Sequence, residues 1–399
     1  MQGCIMKYVV FLLIASIASS VSHAQPYQEV YTSVLVRPLT SMSVPVLGTN
    51  GKFNVTYELE ITNAARSIDA KLLSLEVLDA DDHKNVLISF DEKKLIEQLA
   101  QLGTRPVNTT NIERNGGRLL AVELTFSERS DIPKKVVHRI TVLGADNPGS
   151  KKAVPLEYLA AQHPISGTLP PVMERPVEGD RWVAINSCCQ VGFPHRFSVA
   201  TINGELVNSQ RYAIDWMQLD DNGHLFTGSP DKLTNWFSYG ANVIAMGAGK
   251  VIKVIDGLPD QLPGTIPDPR SISLETVDGN AIVILFDNGF YGMYGHLKSG
   301  SILVKKGDRI QSGDTIAQLG NSGNTSAPHL HFHLMQGPLP AGSNAVPYVL
   351  NQFSYRGQVD RQQFIDSLQL EDDFSTGMTT AKPVKDSYPM QLSIIDFGY

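Results

Sequence analysis

The segment Asn321-Ser322-Gly323-Asn324-Thr325-Ser326-Ala327-Pro328-His329-Leu330-His331-Phe332-His333-Leu334 gathers three of the chain's ten histidines at alternate positions. With the two-residue period of a β-strand, His329, His331 and His333 share one face, and Leu330, Phe332 and Leu334 share the other. A single buried imidazole is ordinarily a satisfied polar group of the core. Three on one face each need their own partners, and a metal ion answers that demand. Two further pieces have the same character. Tyr294-Gly295-His296-Leu297 leaves His296 at or just past a strand end. Tyr212-Ala213-Ile214-Asp215-Trp216 sets one carboxylate inside an apolar run, which is costly unless it is paired or bound to a cation. An isolated Asp more often marks a turn or an edge, but the apolar neighbours of Asp215 favour a ligand.

Taken together, Ala213-Ile214-Asp215, Tyr294-Gly295-His296-Leu297 and His329-Leu330-His331-Phe332 resemble the motifs of the lysostaphin-like zinc metallopeptidases, the peptidoglycan endopeptidases with an HxH motif. The glycine-spaced strands from Ala245 to Gly320 are similar to that family's β core. The resemblance runs in consistent order from Asp180 to Pro347 and covers neither the N-terminal region nor the tail. It implies one Zn2+ per chain, bound by Asp215 and His331, with His296 and His329 as the catalytic pair beside it. The commoner family pattern has a His four residues before the Asp, where this chain has Arg211, which cannot bind a cation. His195, in Phe193-Pro194-His195-Arg196, fits relatives that place this ligand further upstream and is expected as the third. His224 competes for the role, although Asp221-Asn222-Gly223-His224 reads as an exposed turn. His333 stands where Glu is common in the family, and the Asn321 to Asn324 loop is expected to shape a substrate groove.

Two His nitrogens and one carboxylate oxygen leave a tetrahedral position open, the mark of catalytic rather than structural zinc. Water bound there has its pKa lowered toward ~7 and becomes a nucleophile for an amide carbonyl. His296 and His329 suit the remaining tasks, one as general base and the other stabilising the tetrahedral intermediate, with the assignment between them open. The expected reaction is hydrolysis of peptide bonds in peptidoglycan cross-links or stem peptides. Two alternatives stand beside it. One is a catalytically inactive wall-binding regulator or scaffold of another hydrolase, expected to have lost metal ligands. The other is a zinc peptidase acting on secreted proteins.

These groups must be carried by a chain of 399 residues with 42% hydrophobic content, long enough for two cores. Residues 1–24 carry Lys7, an apolar run from Tyr8 to Ile17 and small residues ending Ser22-His23-Ala24, the layout of a cleavable signal peptide. The apolar run is well short of the ~18 to 20 residues that span a bilayer. Export to the periplasm or the extracellular space is expected, with no integral membrane segment after cleavage. Cleavage removes one Lys and no acid, leaving 32 basic and 40 acidic residues and a net charge of −8. Nucleic acid is therefore excluded as a partner. Cys188 and Cys189 are adjacent and cannot staple the fold, whether as a vicinal disulfide or as buried thiols.

The fold is expected to be mainly β: an N-terminal antiparallel β-sandwich, residues 25–149, then a β-rich lysostaphin-like peptidase domain, residues 181–350. Phe53 to Ile61 alternates apolar and polar residues as a half-buried strand does. Leu73, Leu75 and Val77, and Leu120, Val122, Leu124 and Phe126, repeat the pattern. Asp91 caps an expected helix that runs to Leu102 and stops at Gly103. Residues 150–180, rich in Pro and Gly, read as a connecting arm. Ala281 to Phe286 and Phe290 to Tyr294 flank Asp287-Asn288-Gly289 as a hairpin. Residues 351–399 form a C-terminal extension with a short helix near Gln363 to Leu370 and a strand within Met390 to Phe397. The sandwich carries no aromatic cluster, basic strip or repeat that would choose between wall binding, an adaptor role and an inhibitory prodomain. Nothing in the sequence sets the oligomeric state.

Overall fold

The alternation between Phe53 and Ile61 becomes a long strand, Phe53–Asn63, at the centre of the N-terminal region. The computed structural model describes residues 31–102, 105–368 and 378–398, so the expected signal peptide and Gly103 lie outside the described residues. Phe53–Asn63 lies between Val34–Pro38 and Gly117–Phe126, with Leu99–Gln101 beyond and Val46–Leu47 paired to it as well. A second antiparallel sheet runs Val154–Pro164, Lys135–Gly144, Ala70–Asp79, Val86–Phe90, with Asn111–Ile112 added to Ala70–Asp79. One apolar cluster joins them, built from Val55, Tyr57, Leu59, Ile61, Leu75, Val77, Leu120, Val122, Ile140 and Val142.

Several expectations shift here for local reasons. The helix is Glu92–Gln98, capped by Asp91, whose carboxylate accepts from the Lys94 N–H at 2.9 Å. It ends early because Leu99–Gln101 turns extended and pairs with Gly117–Phe126, which satisfies its backbone without a further helical turn. Leu102, expected on the apolar stripe, is exposed. A register shift between Leu72 and Ser74 puts Leu72 in the core in place of Leu73. The expected connecting arm begins with an edge strand, Val154–Pro164, whose outer position tolerates Pro155.

The expected half-buried character of Phe53–Asn63 also changes. Asn54, Thr56 and Glu58, on the polar face, are as buried as the apolar face. Asn54 is covered locally, by Val46, Asn50 and Lys52, whereas Glu58 is covered from further along the chain, by the loop that leads into the candidate site.

The rest of the described chain builds one eleven-stranded sheet and two small two-stranded ones, Val199–Ile202 with Glu205–Asn208 and Asn242–Ile244 with Thr315–Gln318. The strands of the large sheet run in the order Val172–Met173, Val349–Gln358, Ser393–Asp396, Trp182–Ile185, Ile214–Gln218, Leu330–Met335, Tyr291–Leu297, Asn280–Phe286, Gly249–Ile255, Arg309–Ile310, with Lys382–Ser387 added to Val349–Gln358. The Asn280–Phe286 and Tyr291–Leu297 hairpin closes through Gly289 at φ +86°, a left-handed position suited to glycine. The tail is no appendage. Ser393–Asp396 pairs with Trp182–Ile185 on one side and Val349–Gln358 on the other, and Ile395 belongs to the large core. The tail helix is Arg361–Leu368. Cys188 and Cys189 are joined as a buried vicinal disulfide. Thr32–Tyr399 packs as one compact unit. Among the described residues, no helix is long and apolar enough to cross a membrane.

Candidate metal centre

The centre sits on one face of three neighbouring strands of the large sheet. Leu330–Met335 lies between Ile214–Gln218 and Tyr291–Leu297, and its six residues are all buried. Leu330, Phe332 and Leu334 enter the core, so the strand's pleat turns His331 and His333 to the opposite face. Ile214 and Trp216 enter the same core and turn Asp215 the same way as His331. Register then does the rest. Asp215 is the direct partner of His331 on one side and Gly295 is its partner on the other, which brings His296 alongside.

Asp215 is the hub. Its Oδ1 is 2.8 Å from His331 Nδ1 and 3.5 Å from His329 Nε2. Its Oδ2 accepts from Asn186 Nδ2 at 2.7 Å and lies 3.5 Å from His195 Nε2. His195 comes from a short 3-10 turn, Pro194–Phe197, rather than from a strand. Ligand atoms of His195, Asp215 and His331 all lie within 4.8 Å of one another.

Backbone carbonyls fix which imidazole nitrogens face the centre. A carbonyl can only accept, so the ring nitrogen against it must carry the proton. His195 Nδ1 meets Ala213 O at 3.3 Å, His296 Nδ1 meets Ser322 O at 2.7 Å and His329 Nδ1 meets Ala327 O at 2.8 Å. All three rings in their neutral form therefore keep an unprotonated Nε2. For His195 and His329 that nitrogen lies 3.5 Å from the Asp215 carboxylate. A lone pair facing a carboxylate calls for a cation or a proton between them: His329 can take a proton there, while His195 and Asp215 are two donors of the two-imidazole, one-carboxylate set that zinc takes. His331 completes the set through Nδ1, while its Nε2 is 2.9 Å from His333 Nδ1.

Charges at the site respond to this crowding. Burial alone would raise Asp215, but His195, His329 and His331 hold its carboxyl well below the usual range. Burial pushes His195 down to about 4, with His331 and His329 adding to the fall and Asp215 opposing it. Burial and the charges of His329 and His331 push His296 well down. His331 is raised despite burial, through its hydrogen bond and charge interaction with Asp215.

These groups line a cavity of about 340 Å³, with Asn324, Thr325 and Ser326 on its rim and Asp278 within it. His296 sits at φ +58°, with its N–H held by Asp278 O at 2.7 Å. This left-handed residue, at a bulge one position before the strand's last residue, turns the ring into the cavity. Asn324 lines the cavity as expected of its loop, but Asn321 and Ser322 do not. Both are fully buried braces: Asn321 donates to Gln261 O, and Ser322 Oγ donates to Leu297 O. His224 is held in its turn by Asp220 Oδ2 at 3.0 Å and is not part of the cluster. Sequence reasoning missed Asn186 and Asp278. Both lie outside the motifs, and only strand register and the folded cavity bring them to Asp215 and His296.

Residues 236–345 match the family described as Peptidase family M23. Over this segment, which is less than half of its length, the chain is similar to the M23 peptidases. Over 57 residues the chain is 42% identical to the peptidoglycan DD-endopeptidase ShyA of Vibrio cholerae serotype O1, covering 14% of this chain and 13% of that relative. It is 36% identical over 63 residues to the peptidoglycan DD-endopeptidase ShyC of the same organism, covering 16% and 14%. The matched stretches are thus a small part of either relative's length. Among solved structures, the catalytic domain of the antimicrobial peptidase lysostaphin from Staphylococcus simulans aligns at 21% identity. That alignment covers 37% of this chain and 80% of that one with a TM-score of 0.22. The M23 match begins after His195 and Asp215 and takes in His296, His329 and His331.

Proposed function

We propose that the protein is an exported zinc endopeptidase that hydrolyses peptide bonds in peptidoglycan. The observation that carries the reading is the convergence of His195, Asp215 and His331 in one cavity, with His296 and His329 beside them. A reading as an inactive regulator has no such support, because a chain relieved of catalysis has no need to keep two imidazoles, a carboxylate and a flanking pair in register.

His195, Asp215 and His331 would hold the ion. Bound zinc supplies Lewis acidity toward a carbonyl and an activated water near neutral pH. The protein's own part is proton handling and orientation. His296 and His329 each have Nδ1 tied to a carbonyl, so Nε2 is the nitrogen free to take up or release a proton at the cavity. Their ring centroids are 4.6 Å apart, close enough for both to reach one scissile amide. Burial, with the charges of His329 and His331, lowers His296 and favours its neutral ring, the form a proton acceptor needs. Asn186 holds Asp215 Oδ2 and orients the carboxylate.

The test is digestion of purified sacculi by the zinc-loaded chain, with fragments identified by mass spectrometry. The names of the two relatives make D,D cross-links the first bond to examine. Release of peptide fragments that stops with a chelator and in His331→Ala supports the reading. A zinc-loaded chain that leaves sacculi intact but cuts secreted proteins would replace the substrate, and intact substrates of both kinds would end the enzyme reading.

A further inference from the structure

Glu58 lies on Phe53–Asn63, in the N-terminal sheets, at a position the alternation assigns to solvent. It is completely buried, and it meets two arginines from the other part of the chain. Arg211 approaches with Nε 2.9 Å from Oε1 and 3.0 Å from Oε2 and with a third contact through Nη2. Arg196 contacts Oε1 through Nη1 and reaches Tyr57 O at 3.0 Å and Val122 O at 3.3 Å through Nη2. Asn208 Nδ2 donates to Glu58 Oε1 at 3.1 Å and to Arg196 O at 3.2 Å. Both arginines are themselves buried.

The positions of these arginines matter. Arg196 directly follows His195 in the Pro194–Phe197 turn, and Arg211 stands four residues before Asp215. His195 is the one member of the metal cluster that no sheet holds. Its turn has a single ring contact to backbone, at Ala213 O, and that carbonyl lies in the short stretch between Arg211 and Asp215. One carboxylate therefore grips the turn on one side of the site and the approach to Asp215 on the other. A charged group buried this deeply is tolerated only with its partners in place, so the contact has one geometry rather than many.

We propose that Glu58 is a positioning residue for the metal centre: through Arg196 and Arg211 it fixes the 194–213 segment that presents His195. The N-terminal sheets are then a structural part of the peptidase rather than a separable wall-binding module or a prodomain to be cut away. This rests on the metal-binding reading above. Asp215 and His331 are in strand register with each other and do not depend on Glu58, so its loss is expected to remove one ligand from the set and leave two.

The experiment uses the full mature chain loaded with cobalt(II), whose visible absorption reports the ligand set, together with zinc affinity measured by chelator competition. Wild type, Glu58→Gln, Glu58→Asp and His195→Ala are compared. The proposal expects Glu58→Gln to bind zinc at least ~10-fold more weakly. Its cobalt spectrum should move toward that of His195→Ala while cooperative unfolding is retained. Glu58→Asp keeps the charge but retracts it, and should weaken zinc binding in the same direction by a smaller factor; it decides the matter if Glu58→Gln fails to fold. A purely structural role would lower the melting temperature and leave the cobalt spectrum of the folded protein unchanged, which overturns the proposal. Wild-type affinity in both Glu58 variants also overturns it and leaves the metal reading intact. A wild-type chain that binds neither ion defeats the metal reading, and the proposal falls with it.

Discussion

Asp215 and His331 are direct register partners on neighbouring antiparallel strands, and their side chains meet at 2.8 Å. The pair is thus set by backbone hydrogen bonding, and a change to either side chain leaves the strands paired. Asp215→Asn keeps the shape but removes the charge. It is expected to lower zinc affinity by at least ~100-fold, read by chelator competition, and to lower the stability of the metal-free protein at neutral pH, read by chemical denaturation, because the imidazoles that hold this carboxyl ionised lose its charge.

His333 sets the orientation of His331. For His331 Nδ1 to offer its lone pair toward the cluster, Nε2 must carry the proton and donate to His333 Nδ1. His333→Ala removes the acceptor and is expected to weaken zinc binding ~10-fold, within the range for partners of metal ligands. His333→Glu supplies a carboxylate acceptor and should restore most of the affinity. Equal affinity in all three proteins, measured by chelator competition, would contradict the role.

Arg211 occupies the position at which the family's more common pattern has a metal-binding His, yet its side chain points to Glu58. Arg211→His is therefore expected to gain no ligand. It should cost roughly 3 to 5 kcal/mol of stability, because a buried carboxylate loses its main partner. Denaturant unfolding of the metal-free chain reads the loss.

The same carboxylate gives a pH signature. Burial opposes the charge of Glu58, but Arg211 and Arg196 more than compensate and lower it from 4.5 to about 2. A depressed folded-state value stabilises the protein fully above about 4.5 and loses that contribution as pH falls toward about 2. The contribution is on the order of 3 kcal/mol. The loss of stability between pH 5 and pH 3 should shrink in Glu58→Gln relative to wild type, measured by urea unfolding across that range.

Gly279 and Gly323 back the His296 side of the cavity. A Cβ on Gly323, at φ +82°, would stand 2.3 Å from Gly279 N, and one on Gly279 would stand 2.2 Å from Ser322 O. Ser322 O is the acceptor that orients His296. Gly323→Ala is expected to cost about 2 kcal/mol in denaturant unfolding and to reduce kcat on peptide substrate more than it changes KM.

The clustering of the candidate site residues was legible because they obey strand periodicity. His331 and the alternating Leu330, Phe332 and Leu334 declare a core face and an imidazole face, and Asp215 stands out between Ile214 and Trp216. Mainly β architecture followed from the same alternation. The unreadable parts depend on long-range contacts. Glu58 has the sequence spacing of a solvent-facing residue, and only Arg196 and Arg211, more than a hundred residues away, make its burial tolerable. Ser393–Asp396 inserts into the middle of the large sheet, a pairing that local pattern cannot announce. The helix after Asp91 stops at Gln98 because a neighbouring strand competes for Leu99–Gln101, although the apolar spacing would have carried it on.

On the proposed function, His195, Asp215 and His331 together hold one zinc ion. Crystals of the zinc-loaded chain, with diffraction recorded on both sides of the zinc absorption edge, test it most directly. The expected result is a single anomalous peak per chain, bonded to those three residues and facing His296 and His329 across the cavity. A peak ligated by His224, a peak that leaves His195 unbound, or no peak at this cavity would contradict it.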